Sequence, residues 1–477
     1  MTSTINLMLV DGVQVVVPNS LNLITPYVLL EQQDWFEDEI KFLRRLLQPG
    51  QKVIDIGANY GVYALSMAQT VGPTGCVWAF EPASETSKLL AEGIGVNSFT
   101  QIVLDRSALS NTCGTAQLSL NQNSELNALV HDMPSTMGSE TVSLVTLDEC
   151  MKKYGWRDIA FLKIDAEGEE ANILKGGNQF FAELSPLVQY EVKAGEDLHL
   201  ELVHGFTTLG YNSYRLMPGL GLLVPFDAES KPDGYLLNLF CCKPDRAAQL
   251  ATNGYLLDSA AWLPGTRAEW LDEMSKKGKD STMYRWRHTI ATLPYGVQLT
   301  SLWEQTTAMG RSAEVEDALF FYALSRDTTL SSTGRFCALE TSFNLLKILS
   351  EKEPSHLRLS SLARVARDYG ARSLAVNALQ KMIASVVEHT QADPGEPFLP
   401  PVERFDSIPP GDDFDNWIVA AALEEIERLG SFSSFYTGPA ARQRLEMIRA
   451  LGFGSDETKR RLELLEKRFG LAASQLQ

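Results

Sequence analysis

Positive charge is scarce in this chain: 42 Lys and Arg stand against 60 Asp and Glu, a formal net charge of −18 over 477 residues. That balance repels nucleic-acid phosphates and anionic lipid headgroups, so neither is an expected partner, although a local basic pocket is not excluded. Histidine and cysteine are few, six of each. Cys76, Cys113, Cys150, Cys241, Cys242 and Cys337 form no C-x-x-C pair, and no histidine stands at ligand spacing beside them, which argues against structural zinc. Scattered single thiols read as reduced, and the expected location is cytoplasmic. No uninterrupted apolar run reaches the roughly 18 residues a membrane span needs. The opening MTSTINLMLVDGVQVVV lacks a basic stretch and is broken by Asp11, Gly12 and Gln14, so it reads as a hairpin rather than a signal peptide.

What is present is enough apolar residue, 44%, for packed cores, in a chain long enough for two or three of them. The first half alternates strand and helix patterns. Residues 31–47 (EQQDWFEDEIKFLRRLL) read as one helix stopped by Pro49-Gly50. VIDIG (53–57), CVWAFEP (76–82) and QIVLDRSAL (101–109) are apolar runs of the kind found in buried parallel strands, with helical patterns between them. This is the βαβαβ rhythm of a doubly wound sheet. TAQLSL and TVSLVTL flank a polar insert at 121–140, and AFLKID, a helix over EEANILKGGNQFFAEL, and PLVQYEV follow. A helix through 197–209 and the strands YNSYRL and GYLLNLFCCK close a domain at about 245, with residues 1–50 as its N-terminal hairpin and helix. From 246 to 477 helical periodicity takes over. Residues 362–383 resemble one tetratricopeptide helix pair without a convincing second copy, and 394–410 is Pro-rich and expected to be extended. A final helix is expected from Asp456 to Phe469, capped by Ser455 and stopped by Gly470.

The turn Gly57-Ala58-Asn59-Tyr60-Gly61 lies between a strand and a helix, a small-molecule cradle. Its glycines permit close backbone approach, and the free N–H groups of the following helix suit a carboxylate or phosphate. Glu81 ends the next strand, 24 residues after Gly57, where a carboxylate accepts ribose hydroxyls. Asn59 stands where the dinucleotide fingerprint requires glycine, which disfavours a pyrophosphate and a dehydrogenase. S-adenosyl-L-methionine has a ribose and a carboxylate but no phosphate, and it suits the looser turn. Asp55, Gly57, Asn59, Gly61 and Glu81 are therefore the candidate cofactor residues, joined by Ser107 and Ala108 at the end of the third strand; the bland alternative is a structural tight turn.

VIDIGANYGVYALSMAQTVGPTGCVWAFEP and, downstream, FLKIDAEGEEANILKGG (161–177) resemble, in order and separation, the two signature blocks of FkbM-type methyltransferases. Val-Thr-Leu-Asp-Glu at 145–149 and Pro-x-x-x-x-Glu at 186–191 fit the same pattern, and the resemblance covers about residues 30–240. It implies a class I methyltransferase fold: a mostly parallel seven-stranded sheet with an antiparallel last hairpin, followed here by an all-α domain. It also implies methyl transfer from S-adenosylmethionine to a hydroxyl, often on a sugar, glycan or secondary metabolite.

Catalytic candidates lie at the carboxyl ends of the fourth and fifth strands, which face the ligand crevice: Asp165, Glu167 and Glu191, with Lys163 on the same strand face as Asp165. A positioned base would help an alcohol, a poor nucleophile, attack the methyl group. Lys163 with Asp165 reads equally as a structural ion pair, and Glu167 as a residue favoured at the start of a helix. His131, His199 and His204 are alternative bases. Asp165 with Glu191 also suggests a divalent cation, but no third ligand besides His199 is evident, so no metal is expected. In the insert, Asn123, Ser124, Asn127 and His131 read as sugar-reading groups or as a solvated loop. Trp35, Phe36 and Glu37 are expected to pack on the sheet. The alternative function is a non-catalytic cofactor-binding scaffold whose helical half, the candidate surface for a protein partner, carries the interaction.

Overall fold

A computed structural model describes residues 3–130, 138–194, 197–198, 200–258, 268–274, 276, 290–308, 313–389 and 392–470. The chain divides into two compact units. Residues 1–216, 223–232 and 236–252 form an α/β unit, and 217–222, 233–235 and 253–477 form a helical one. The expected boundary at 245 falls within the helix Pro244–Thr252 that ends the α/β unit.

In the α/β unit the hairpin β1 (Thr4–Met8) and β2 (Gln14–Pro18) is followed by α1 (Ile24–Gln32) and α2 (Asp38–Leu46). The single helix expected over 31–47 is therefore two. Gln33 closes α1 in the left-handed region (φ 60°), and Asp34 holds the corner, accepting the Trp35 N–H at 2.9 Å and pairing with Arg44 at 2.7 Å. The extended stretch between the helices carries Trp35 to Glu37 away from a helical surface.

Then come β3 (Lys52–Ile56), α3 (Val62–Val71), β4 (Cys76–Phe80), α4 (Ser84–Val96) and β5 (Ile102–Asp105). The strand expected over 101–109 breaks after Asp105, whose carboxylate turns to Lys153, the Tyr154 hydroxyl and the Ser107 N–H. Its second part, β6 (Ser107–Leu109), joins a separate sheet with β7 (Gly114–Ser119), β8 (Ala128–Leu129) and β9 (Ser139–Val145), in the order β6-β9-β7-β8. α5 (Leu147–Tyr154) leads to β10 (Ile159–Ile164). The helix expected over 169–184 is split into α6 (Glu170–Lys175) and α7 (Asn178–Glu183), because Gly176 packs so closely that a Cβ there would lie 2.2 Å from the Ser110 carbonyl oxygen.

β11 (Leu187–Glu191), the short pair β12 (Lys193–Ala194) and β13 (Asp197–Leu198), α8 (Glu201–Thr208), β14 (Asn212–Met217), β15 (Leu222–Pro225), β16 (Asn238–Cys242) and α9 (Pro244–Thr252) complete the series. The main sheet runs β15-β14-β16-β11-β10-β3-β4-β5. Strands β5, β4, β3, β10 and β11 are parallel, and β16 is antiparallel between β11 and β14. This is the class I methyltransferase order. It is extended by an eighth strand, β15, whose four residues LLVP are too short to have stood out in sequence. The central strands are apolar on both faces, with Val53, Ile54, Phe161, Leu162 and Val188 at 0% exposure.

The helical unit contains helices at 294–308, 313–326, 332–352, 356–369, 372–389, 414–429, 442–450 and 456–469. Gly370 (φ 86°) turns the 356–369 and 372–389 helices into the expected pair, and Ser455 and Gly470 cap and stop the last helix as read. The segment 394–410 holds a single short 3-10 turn, Glu403–Ser407.

Candidate functional site

A cavity of about 1010 Å³, open solvent at its mouth included, lies at the carboxyl ends of β3, β4 and β10. Its lining contains Asp55, Gly57, Asn59, Glu81, Ser107, Ala108, Lys163, Asp165 and Glu167, so the structure gathers most of the sequence candidates in one place. Gly61 and Glu191 are not among the lining residues, although a Glu191 oxygen lies within 4.8 Å of Asp165 and Glu167. At one end the turn after β3 adopts three left-handed residues, Gly57 (φ 77°), Asn59 (φ 48°) and Gly61 (φ 88°). The glycines answer to packing as well as to ligand approach: a Cβ on Gly57 would lie 1.7 Å from the Asp165 carbonyl oxygen, and one on Gly61 2.3 Å from Leu90. No side chain caps α3 behind the turn. Glu81 accepts the N–H groups of Asn59 (2.8 Å) and Ala83 (2.9 Å), and burial pushes its pKa up to about 7. Asp55 is fully buried, and neither carboxylate oxygen has a well-formed hydrogen bond, although the Ala64 N–H lies near enough to favour the charged form. Burial raises its pKa to about 6; Lys163 pulls it down, and Asp165 pushes it further up.

Beside this turn charge is crowded. Lys163, 4% exposed, pairs with Asp165 at 2.6 Å and lies 4.9 Å from the centre of the Tyr63 ring. The desolvation that would lower its pKa is outweighed by Asp165, Asp55 and Glu37, so the ammonium stays charged. Carboxylate oxygens of Asp165, Glu167 and Glu191 all come within 4.8 Å of one another. Glu167 is exposed and held in the left-handed region (φ 47°), but the crowding of its carboxyl by protein atoms, then by Asp165, raises its pKa to about 8. Desolvation, then Asp165 and Glu167, push Glu191 well above the carboxylate range. Among the described residues of the lining Lys163 is the only cation, against seven carboxylates.

Residues 55–212 match the methyltransferase FkbM domain. The match covers a third of the 477 residues, and a comparison with curated proteins finds no match. Among solved structures, the FkbM methyltransferase of Methylobacillus flagellatus KT is 16% identical over 41% of this chain and 45% of its own, with a TM-score of 0.29. A putative rRNA methylase of Clostridium thermocellum is 9% identical over 44% and 95%, TM-score 0.28. A putative methyltransferase of Streptococcus mutans in complex with SAH is 11% identical over 43% and 95%, TM-score 0.27. The sheet order, rather than these distant likenesses, defines the fold.

The cavity also holds residues to which the sequence assigned no part in a site. Trp35 and Glu37 line the cavity rather than merely packing on the sheet. Glu37 accepts the Tyr63 hydroxyl at 2.5 Å and the Asn238 amide at 3.3 Å, and burial raises its pKa. The signal was the Asp34-Trp35-Phe36-Glu37 interruption of an otherwise helical pattern. Over its described residues 121–130 the insert is tied to the fold rather than a solvated loop, and Ser124 and Asn127 line the cavity. Asn123 accepts the Ile24 N–H, Ser124 donates to the Asn59 side chain, and Asn127 accepts the Asn121 N–H. Glu125, unremarked in sequence, lines the cavity beside them. Glu167 is the third carboxylate missing from the sequence argument about a cation. His204 lies on α8 and not in the cavity lining, and His131 and His199 lie outside the described residues.

Proposed function

We propose that this chain is an S-adenosylmethionine-dependent O-methyltransferase acting on a hydroxyl of a sugar, glycan or other small metabolite. The observation that carries the reading is the pairing, at one cavity, of a cofactor-type turn with a crowded carboxylate cluster beside it. The residues fit the cofactor. Asp55 presents two unpartnered buried oxygens to a cationic group, uncapped α3 suits a carboxylate, and Glu81 has lone pairs left for ribose hydroxyls. Ser107 and Ala108 border the space left for the base.

Bound S-adenosylmethionine would supply a methyl group activated on a sulfonium. The chain's own groups then orient the acceptor and take its proton. Lys163 fixes Asp165 by their 2.6 Å contact, leaving Glu167 and Glu191 as the carboxyls with elevated proton affinity. A carboxylate with a pKa near 8 is a matched base at neutral pH: as the acceptor oxygen bonds to the methyl carbon, its proton passes to the carboxylate. Holding oxygen and methyl in line supplies much of the remaining acceleration. No metal is needed for this route. The acidic lining disfavours anionic acceptors, nucleic acid included. The chemistry belongs to residues 1–252, and the helical unit is the candidate surface for a protein partner.

Titration calorimetry of the full chain with S-adenosylmethionine and S-adenosylhomocysteine tests the cofactor, and untargeted comparison of methylated glycans and metabolites with and without the protein tests the acceptor. Tight NADH binding with no response to either sulfur compound would sink the reading.

A further inference from the structure

The loop joining β7 to β8 is fastened across the cavity at several points. Within itself, Asn121 donates its N–H to Asn127 at 2.8 Å and its side-chain amide to the Leu126 carbonyl. Outward, it reaches α1, a helix with no cap of its own on the Leu23 side chain. Asn123 Oδ1 accepts the Ile24 N–H at 3.0 Å, and Glu125 Oε1 accepts both the N–H of Thr25, at 3.1 Å, and its hydroxyl. A carboxylate is favoured at that position because the first amides of a helix are free and the helix dipole is positive there. The loop thus caps α1 from about a hundred residues away in sequence. On the cavity side, Ser124 donates to Asn59 Oδ1 at 2.9 Å, and Asn59 is the middle of the cofactor turn. Ser124, Glu125, Asn127 and Thr25 all line the cavity.

We propose that Glu125 is a positioning residue that latches this loop onto α1 as a roof, and that the latch controls how fast the cofactor-site ligand leaves. The inference rests on the cofactor reading above. One oxygen of Glu125 makes the latch; the other, Oε2, is buried without a partner at the wall of the cavity. An unpartnered buried oxygen opposes closure until something in the cavity gives it a hydrogen, so occupancy and closure favour each other. Because Ser124 donates to Asn59 Oδ1, a roof that lifts leaves the side chain at the centre of the cofactor turn held there by the Tyr60 N–H, at 2.8 Å, without its tie to the loop.

The test is the dissociation of tritiated S-adenosylhomocysteine from the full chain, chased with unlabelled compound. Glu125→Ala should speed dissociation at least tenfold, with the association rate changed less than threefold. Glu125→Gln keeps an acceptor oxygen for Thr25 and should stay within threefold of wild type. A purely structural role predicts a lowered unfolding midpoint with unaltered dissociation, and that result overturns the latch. If Glu125→Ala does not fold, Asn123→Ala, which removes only the Ile24 tie, must itself speed dissociation; an unchanged rate there overturns the latch as well. Wild type that fails to bind S-adenosylhomocysteine overturns the cofactor reading and the latch with it, whereas binding with equal rates in all variants overturns the latch alone.

Discussion

The two compact units bury charge in opposite ways. In the helical unit each buried base has its acids. Arg364, 3% exposed, pairs with Asp406 at 2.9 Å and also donates to the Tyr322 hydroxyl and the Pro400 carbonyl. Arg461 pairs with Glu457 at 2.9 Å and donates to the Glu427 carbonyl, and the buried Glu424 is in turn paired by the part-exposed Arg404 at 2.5 Å. In the α/β unit Glu37, Asp55, Asp165, Glu167 and Glu191 gather around Lys163, the one cation among the described lining residues, and neither Asp55 oxygen has a well-formed hydrogen bond. Balanced buried charge is what a fold tolerates for its own sake; imbalance destabilises the fold and marks a place where something else is to be bound or moved.

The sharpest way to break that contrast is to unbalance the helical unit. Arg364→Ala leaves Asp406 and two further acceptors without their donor, and should lower stability by about 3–5 kcal/mol in chemical denaturation. A change under about 1 kcal/mol would show that its balance is not structural. The converse holds for Asp55. Its folded pKa, about 6, lies above the unfolded value, so folding favours the protonated form. That contribution is fully present below about pH 4 and is lost as pH rises through 6. Asp55→Asn should therefore be more stable than wild type at pH 7.5 by about 2–3 kcal/mol, lose that advantage near pH 4, and bind cofactor more weakly. Denaturation curves at the two pH values decide it; a variant less stable at both would mean that Asp55 is satisfied after all.

Glu81→Ala comes next, with S-adenosylhomocysteine affinity reduced by about 1–3 kcal/mol in calorimetry, and with some loosening of the turn because the Asn59 and Ala83 amides lose their acceptor. Unchanged affinity would remove Glu81 from the site. The smallest effect belongs to chelation. If Lys163 and protons are all that the carboxylate cluster holds, methyl transfer in EDTA should match the untreated rate. Loss of activity with rescue by magnesium would turn Asp165, Glu167 and Glu191 into metal ligands.

The fold was legible where periodicity is uninterrupted and motifs are local. VIDIG, CVWAFEP and FLKID announced the central strands, and Ser455 and Gly470 bounded the last helix. It was illegible where one residue's conformation redirects the chain. Nothing in EQQDWFEDEI says that Gln33 will turn left-handed, and nothing in QIVLDRSAL says that Asp105 will end one strand and start the next in another sheet. The same limit hid part of the site. Glu37 and Glu125 belong to no motif and acquire meaning only through partners far away in sequence, Tyr63 and Asn238 for one, Thr25 for the other. Motif residues, by contrast, carry their spacing with them, which is why Asp55, Glu81 and Asp165 could be named in advance.

The bare Cα of Gly57 has a mechanical consequence. With the Asp165 carbonyl filling the space a methyl group would need, the turn after β3 and the end of the neighbouring strand β10 are meshed like two gears. Neither advances without turning the other. Substituting alanine at 57, a habitual route to an inactive control, would displace the strand that bears Asp165, so the resulting protein would report on a jammed gear train rather than on a vacated cofactor seat. A cleaner substitution is Asp165→Asn, which keeps the backbone teeth engaged and alters only the pairing with Lys163.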